Sequence, residues 1–450
     1  MKTRNCLIVA GLMMWCAGTA HGAVSAEEAK KLGTTLTAVG AEKSGSDDGS
    51  IPAYTGGLTT PPAGFKAGSG KRPDPFAGEK PLYSITAKNM ANYASKLTEG
   101  NKALLKKYPT YRIDVYKTHR TVCFPEYVLE GTKHNAVSAT TTNGGLSIKG
   151  AKSGIPFPIP KDGFEAMWNH LCRFEGEAYY GKYVSYNVDS AGRKTLATKG
   201  TAWSEFPYYN RKHPSTDKYF LAKFVYDAPA RRNGEGFMIQ DPLNMAEHGR
   251  RAWQYLPGQR RVKLAPDIAF DTPNPGTAGQ TTYDDGYVFN GSLERYNFKL
   301  VGKKEMIVPY NDYKMVYQAD SNALCGPRHL NPDHVRWELH RVWVVEATLK
   351  PGKRHIYNKR TFYLDEDSWA ALVADNYDAR GQLYRVLFSA FTVSYDAKTP
   401  FNSPSFSYDL IAGNYSLGVN IAEPDLSMKY VAPFADHEWS PESLAGSGIR

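Results

Sequence analysis

Alternation of apolar and polar residues is the strongest pattern in this sequence, and it is clearest in the segment from residue 334 to residue 395. Between Val335 and Leu349 every odd position except Arg341 is apolar, which is typical of a strand with one face in a core. Pro351-Gly352 and the residues from Asp365 to Ser368 have the composition of turns. The segment therefore predicts four consecutive antiparallel strands, the third covering 369–374 and the fourth 384–395.

Further strands are predicted before this segment, and helices are predicted before those strands. Strand-like runs cover 111–128, 183–187, 194–203, 219–227, 231–240, 296–301 and 305–309, and a hairpin covers 250–262. Apolar residues at helical spacing predict one helix from Thr86 to Pro109 and another that carries Phe164, Met167, Trp168, Leu171 and Cys172. We expect the second helix to pack on the sheet or to plug it.

The predicted fold class is α+β, mainly β: a large curved antiparallel sheet, of the half-barrel kind, with covering helices and an extended N-terminal segment. The boundaries follow changes in composition along the chain. Residues 23–160 form an extended and helical segment that packs on the body, and 161–422 form the sheet. Residues 423–450 contain prolines and are polar, and they are expected to form a tail that drapes over the body.

Residues 1–22 have the pattern of a secretory signal peptide. Lys2 and Arg4 precede an apolar run from Cys6 to Ala20, and small residues stand before a cut after Gly22. The alternative, a membrane anchor, needs a longer apolar run than this one. The mature chain is thus expected to be periplasmic, with an association with the outer membrane as a further expectation.

Composition and charge exclude some functions for the 450-residue chain. It is 42% hydrophobic, which is ordinary for a globular protein, and its 30 Tyr and 8 Trp favour strands. Without Lys2 and Arg4 the basic residues fall from 55 to 53 against 45 acidic ones, so the mature net charge is about +8. Nucleic acid is not an expected partner, because no block of basic residues with interleaved aromatics is present and export is predicted.

Each candidate catalytic, cofactor-binding or metal-binding motif in the sequence lacks a required residue or spacing. The segment from Ala67 to Lys71 lacks the residues of a phosphate loop, and neither G-x-S-x-G nor H-E-x-x-H occurs. His334 and His340 are six residues apart on a predicted strand, about 20 Å, which is too far for one ion. The acidic run from Asp365 to Asp367 lacks the later carboxylate of a calcium loop and is interpreted as a turn. We therefore predict no enzyme activity, no cofactor and no metal.

An aromatic sheet in an exported chain without an active site favours binding of an apolar ligand. A curved sheet with helices on its concave side gives either a filled core or a pocket. The candidate lining residues, for which ordinary core packing is the alternative, are Trp168, Trp253, Tyr255, Trp337, Leu339 and Trp343. Of the three cysteines of the mature chain, one pair could form a disulfide, and the sequence does not choose the pair.

Several stretches resemble a family of exported bacterial proteins of unknown function that is common in pseudomonads. The resemblance covers nearly the whole mature chain and is most specific in GIPFPIPKDGFEAMWNHLCRFEG (154–176), RAWQYLPGQRRVKLAP (251–266) and the stretches 284–311 and 331–369. More distantly, the basic hairpin and the Asp-Asp segment after it resemble the outer-membrane lipoprotein-sorting carriers of the LolA/LolB type. That likeness implies a half-open barrel with an apolar interior for acyl chains. This chain is about twice the size of those carriers, and Cys172 stands where an aliphatic residue is expected.

The function predicted from these observations is that of a periplasmic, non-catalytic carrier or docking protein for a hydrophobic molecule, either a lipid or a lipoprotein acyl chain. The resemblance also implies a resistance-nodulation-division exporter and an outer-membrane protein as partners. Two alternatives stay open at this point. One is a scaffold that binds such an exporter complex, and the other is a hydrolase of envelope lipids whose active-site residues are distant in sequence.

Overall fold

A computed structural model of the protein describes residues 23–447. The predicted signal peptide, residues 1–22, lies outside the described residues. Sixteen strands of the described chain form one large sheet, and two pairs of short strands form separate hairpins.

The strands are numbered in chain order. The first ten are β1 (Tyr83–Ile85), β2 (Ile113–Val115), β3 (Thr140–Thr142), β4 (Ser147–Lys149), β5 (Ala178–Val188), β6 (Lys194–Glu205), β7 (Lys218–Ala228), β8 (Gly236–Pro242), β9 (Arg251–Leu256) and β10 (Arg261–Leu264). The others are β11 (Tyr296–Pro309), β12 (Trp337–Leu349), β13 (Lys359–Asp365), β14 (Ala371–Tyr377), β15 (Leu383–Ser389), β16 (Thr392–Ser394), β17 (Thr399–Phe401), β18 (Ser405–Asp409), β19 (Asn414–Asn420) and β20 (Met428–Val431).

The order of strands in the large sheet is β1-β2-β12-β13-β14-β15-β18-β19-β5-β6-β7-β8-β9-β10, with β11 also beside β12 and β20 also beside β5. Neighbours are antiparallel except at Trp337 and Val115, where β12 and β2 run parallel. The sheet does not close into a barrel. The prediction of a mainly β fold built on one large sheet is confirmed.

The four predicted strands from residue 335 onward are β12 to β15, and each pairs antiparallel with the next. The last one is shorter than predicted, because the ladder ends at Ser389 and the chain then leaves the large sheet to form β16 with β17. Trp369, between β13 and β14, adopts a left-handed backbone conformation with φ of 63°.

The helices are short, and the longest of those described has 13 residues. They are α1 (Ala26–Ala29), α2 (Glu99–Lys107), α3 (Glu126–Ser138), α4 (Gly163–Leu171), α5 (Tyr313–Tyr317), α6 (Ser321–Leu324) and α7 (Pro441–Ser447). The helix predicted at 163–172 is α4, which begins where the Asp162 carboxylate accepts the backbone N–H of Glu165. Its residues Met167, Trp168 and Leu171 are buried, so α4 fills part of the space over the sheet.

The predictions for residues 86–161 were less accurate. The helix expected from Thr86 to Pro109 divides into a 3₁₀ turn at Met90–Lys96 and α2, because Thr98 caps a new helix. The strand expected at 111–128 reduces to β2, and helix α3 then follows where no helix was predicted.

Both terminal segments contribute short strands to the large sheet. Strands β1 and β2 belong to the large sheet although they lie within the predicted N-terminal segment 23–160. In the predicted tail, β20 pairs with β5, and the side chain of Leu444 in α7 is completely buried. The large sheet therefore extends across both predicted boundaries.

Candidate functional site

A cavity of about 140 Å³ lies against one face of the large sheet. We call this the inner face; it carries Tyr183, Ala202, Phe224 and Leu387. Residues from β5, β6, β7, β8, β15, β18 and β19 all line the cavity, so the sheet bends around it. The remaining wall comes from the irregular stretch between β10 and β11, from residues 401–403, and from Ile421 and Met428.

The wall formed by the sheet is mainly aromatic and aliphatic. Phe224 and Phe237 stack with ring centroids 4.7 Å apart, and the edge of Tyr183 meets Phe224 at 5.8 Å. Leu387 and Phe406 line the opposite side. Such a surface gains free energy by contact with an apolar molecule instead of water.

Residues 270–292, which we call the covering segment, close the cavity on the side away from the sheet. The segment is held by buried ion pairs: the Arg360 guanidinium donates to Asp284 at 3.0 Å and to Asp285 at 2.9 Å. His355 lies 3.0 Å from Asp284. Burial by itself would raise the pKa of Asp284, but His355 and Arg360 hold that pKa well below its usual range.

A second arginine fixes the end of the covering segment. The Arg250 side chain is buried and makes a two-bond contact with Asp241, at 2.6 Å and 2.8 Å. It also donates to the backbone carbonyl of Asn290 at 2.8 Å. These contacts join the covering segment to β8 and to the stretch before β9.

Polar side chains, six of them serines, also line the cavity. The hydroxyls of Ser407 and Ser416 are 2.7 Å apart and satisfy each other. In contrast, the hydroxyl of Tyr226 and the Nδ2 group of Asn402 are buried without a hydrogen-bond partner among the described residues. A guest with a hydrogen-bonding group could satisfy either of them.

Two charged residues, Arg173 and Glu175, lie beside the cavity wall near Tyr287 and neutralise each other. Arg173 lies over the Tyr287 ring, 4.7 Å from its centroid, and forms a buried ion pair with Glu175 at 2.5 Å. Burial raises the pKa of Glu175, while Arg173 opposes that rise. The Arg173 guanidinium therefore has its own counter-ion beside the cavity.

None of the six predicted lining residues lines this cavity. Trp253 and Tyr255 lie on the outer face of the sheet, where they pack with Trp439 and Leu444 from the C-terminal residues. The reason is register: Trp253 pairs with Met238, whose neighbour Phe237 points to the inner face.

The other four candidates are packed elsewhere. Trp168 in α4 is buried, and its indole N–H donates to the carbonyl of Gly145 at 2.8 Å. Trp337 meets the Phe388 ring at 5.5 Å, and Trp343 stacks on Trp369 at 6.0 Å. Leu339 is buried in the main core.

The residues that do line the cavity were not singled out from the sequence. Tyr183, Phe224 and Phe237 lie in segments that were predicted as strands, and they follow the same alternation that was used on β12. Alternation identifies two faces but does not say which face bends around a cavity. The covering segment, which decides this, has no periodic pattern.

Two further observations concern export and the cysteines. Within residues 23–447 no helix has the length and apolar character that crossing a membrane requires.

Cys123, Cys172 and Cys325 are free thiols, so the disulfide that the sequence allowed does not form among the described residues.

Comparison with known proteins bears on family membership. The family model described as "Protein of unknown function (DUF1329)" matches residues 84–445. The uncharacterized protein PA3922 of Pseudomonas aeruginosa is 40% identical over 459 residues, which covers 100% of both chains. These matches confirm the predicted resemblance to an uncharacterised family found in pseudomonads.

Solved structures give weaker likenesses. A DUF1329 family protein from Desulfovibrio piger is 17% identical, covers 60% of this chain and 92% of its own, and has a TM-score of 0.41. A domain from Vibrio parahaemolyticus named for outer membrane lipoprotein sorting is 16% identical, covers 63% and 98%, and has a TM-score of 0.44. A LolA superfamily protein from Nitrosomonas europaea is 13% identical, covers 61% and 94%, and has a TM-score of 0.37. TM-scores below 0.5 carry no inference about the cavity or ligand of this chain.

Proposed function

The chain belongs to the DUF1329 family, and we propose that it is a carrier that holds a hydrophobic molecule in the cavity on the inner face of its sheet. One observation carries the proposal: a cavity of about 140 Å³ is left open among aromatic and aliphatic side chains. An engineered apolar cavity of about 150 Å³ in another protein takes up benzene, so a space of this size is enough for an apolar guest.

The lining favours a guest that is apolar except for one uncharged polar group. Most of the wall is carbon, while Tyr226 and Asn402 each offer an unused hydrogen-bonding group. An ionised head group would find no free counter-charge at Arg173, because Glu175 already neutralises that residue. Alcohols, esters and ketones with an apolar body fit these features better than free acids.

A long acyl chain requires more room than the closed cavity offers. Sites for drug-sized ligands usually enclose about 300–1,000 Å³. The covering segment is the part of the wall that we propose provides this room, because side chains such as Arg360 and Arg250 hold it and, among the described residues, no backbone ladder joins it to the large sheet. Tyr287 and Val288 within it have φ of 52° and 70°, and for a β-branched residue such a conformation is strained. We propose that lipids enter when this segment moves outward.

The cellular role follows from the sequence rather than from the cavity. The signal-peptide pattern in residues 1–22 supports a periplasmic location and a place in envelope transport. In this proposal the protein has no chemistry of its own. A resistance-nodulation-division exporter and an outer-membrane protein are its proposed partners.

Binding of a fluorescent apolar probe, N-phenyl-1-naphthylamine, to the mature protein tests the proposal. Ala202→Leu puts three more carbons into the cavity, so we expect the probe to bind at least about 10-fold more weakly, a change of about 1.4 kcal/mol. Ala412→Leu adds the same atoms at an exposed turn and should leave binding unchanged. Equal binding by the wild type and by Ala202→Leu, or absence of binding by the wild type, would contradict the proposal.

A further inference from the structure

A second buried polar site lies under the N-terminal segment, and none of its residues lines the apolar cavity. We call it the charged cluster. It is formed by β11, β12, the turn after β13 and parts of the first 120 residues. Ion pairs join Glu42, Glu79, Arg120, Lys303, Arg336, Glu338, His340, Arg341, Glu366 and Asp367, and Asp365 lies beside His340 and Asp367.

Three members of the cluster have the geometry of metal ligands. A ring nitrogen of His340 and one carboxylate oxygen each from Asp365 and Asp367 lie within 4.8 Å of one another, and all three residues are buried. Strand pairing brings them together: Asp365 faces Val342 across the β12–β13 ladder, so His340 is opposite the turn that carries Asp367. In a tetrahedral zinc site the ligand atoms are about 3.4 Å apart, so small side-chain movements would complete the site.

One oxygen of Asp365 lacks a partner, and this is an independent sign of a missing ligand. Its Oδ2 accepts hydrogen bonds from Ser368 N–H at 2.9 Å, from Ser368 Oγ–H at 2.6 Å and from the Tyr310 hydroxyl at 3.2 Å. Its Oδ1 accepts none from the described residues, although the side chain is fully buried. Leaving a buried carboxylate oxygen unpaired costs free energy that a bound cation would recover.

The imidazole of His340 is held as it is in many metal sites. Its Nε2–H donates to the Glu338 carboxylate at 3.0 Å, and its ring stacks on Tyr310 at 3.6 Å. A carboxylate that accepts one ring N–H fixes the tautomer and leaves the other ring nitrogen, Nδ1, with a free lone pair. Asp367 receives two hydrogen bonds from Arg120, but each of its oxygens retains a second lone pair.

The four buried carboxylates of the cluster are not equally paired. Glu338, Glu366 and Asp367 each form an ion pair with an arginine, whereas Asp365 forms no ion pair with any described residue. A buried carboxylate without a cation is costly, and a divalent cation would supply the partner that Asp365 lacks.

We propose that His340, Asp365 and Asp367 bind one divalent transition-metal ion of the Zn²⁺ type, with water as the fourth ligand. The mixed imidazole and carboxylate donors fit zinc, whereas calcium takes six to eight oxygens and would find too few here. The ion would tie the turn after β13 to β12 and, through Arg120, to the N-terminal segment. The sequence had indicated no metal, because His340 was weighed only with His334 and the run from Asp365 to Asp367 only as a calcium loop.

The test uses the full mature protein, first treated with a chelator and then titrated with Zn²⁺ by calorimetry, with thermal unfolding as a second readout. We expect one ion per chain and a higher unfolding temperature with zinc. Asp365→Asn keeps the shape of the side chain but should weaken zinc binding by about 100-fold or more. Asp375→Asn changes another fully buried aspartate, which accepts backbone N–H groups from residues 99 and 100, and should bind zinc as the wild type does.

Three results would overturn the proposal. The first is absence of zinc binding by the chelator-treated wild type, which would mean that the cluster holds protons rather than metal. The second is zinc binding by Asp365→Asn at wild-type strength, which would place the ion elsewhere. The third is equal loss of binding in Asp375→Asn, which would show a general effect of substitutions in the sheet. Each result is independent of ligand uptake by the apolar cavity.

Discussion

Two alanines on the inner face of the sheet make it possible to test whether the cavity is open. Ala202 on β6 lines the cavity, while Ala222 on the neighbouring strand β7 is completely buried and does not line it. Both belong to the same face, because Ala202 pairs with Phe224 and Ala222 lies two residues before Phe224. Replacing each with leucine therefore adds the same atoms to an open and to a filled position.

The magnitudes follow from the volume of the cavity. At about 24 cal/mol per Å³, an empty space of about 140 Å³ costs about 3 kcal/mol of stability. The three carbons added by Ala202→Leu are worth about 2.4 kcal/mol if they are fully buried. The conformational entropy that the new side chain loses on folding opposes this by about 0.5 to 1 kcal/mol. The free energy of unfolding is therefore expected to rise by about 1.5 kcal/mol. Ala222→Leu should instead lose about 1 to 3 kcal/mol by overpacking.

Urea unfolding followed by tryptophan fluorescence gives the free energies of unfolding of the wild type and both variants. The two changes are expected to have opposite signs, with similar dependence on urea concentration. A loss of stability in Ala202→Leu as large as that in Ala222→Leu would show that the space above β6 is already filled. The reasoning from cavity to carrier would then fail.

Three further predictions concern other parts of the fold. Burial, together with Arg173, lowers the pKa of His170 to about 3, so the unfolded chain takes up a proton below pH 6.5 that the folded chain does not. The free energy of unfolding should therefore fall by about 3 to 5 kcal/mol between pH 6.5 and pH 3. His170→Gln should flatten this decline when unfolding in urea is measured across the same pH range. Arg360→Met leaves Asp284 and Asp285 without their buried arginine, so the free energy of unfolding should fall by about 3 to 5 kcal/mol. The covering segment should then be the first site of limited proteolysis. Cleavage unchanged from the wild type would contradict the role of Arg360 in holding this segment. Leu444→Ala should cost about 2 to 5 kcal/mol in unfolding but leave probe binding unchanged, because Leu444 packs on the outer face.

The strands could be predicted from the sequence because their signal is local. Alternation along β12 and the turn residues after β13 are patterns that depend only on near neighbours in the sequence. The structure has the strand β12 at the first and the end of the strand β13 at the second. Helix α4 was predicted for the same reason, since its apolar stripe from Phe164 to Cys172 spans only nine residues. Helix α3 was not predicted, because its buried positions include Thr132 and Asn135 rather than an apolar stripe.

The cavity could not be located from the sequence, because it depends on which residues approach from elsewhere in the chain. Trp253 and Phe237 are both large aromatic residues on strands, yet one faces C-terminal residues and the other faces the cavity. The difference is decided by register and by the covering segment, which is held through Arg360 more than 60 residues later. The charged cluster depends in the same way on contacts between β12 and the N-terminal segment.

Mass spectrometry of the organic extract of the protein, purified from the periplasm of its native host, tests the central claim most directly. We predict about one apolar molecule per chain in the wild type and in Ala412→Leu, and little or none in Ala202→Leu. Extracts free of any apolar molecule in all three proteins, or equal amounts in the wild type and in Ala202→Leu, would contradict the assignment of the cavity as the carrier site.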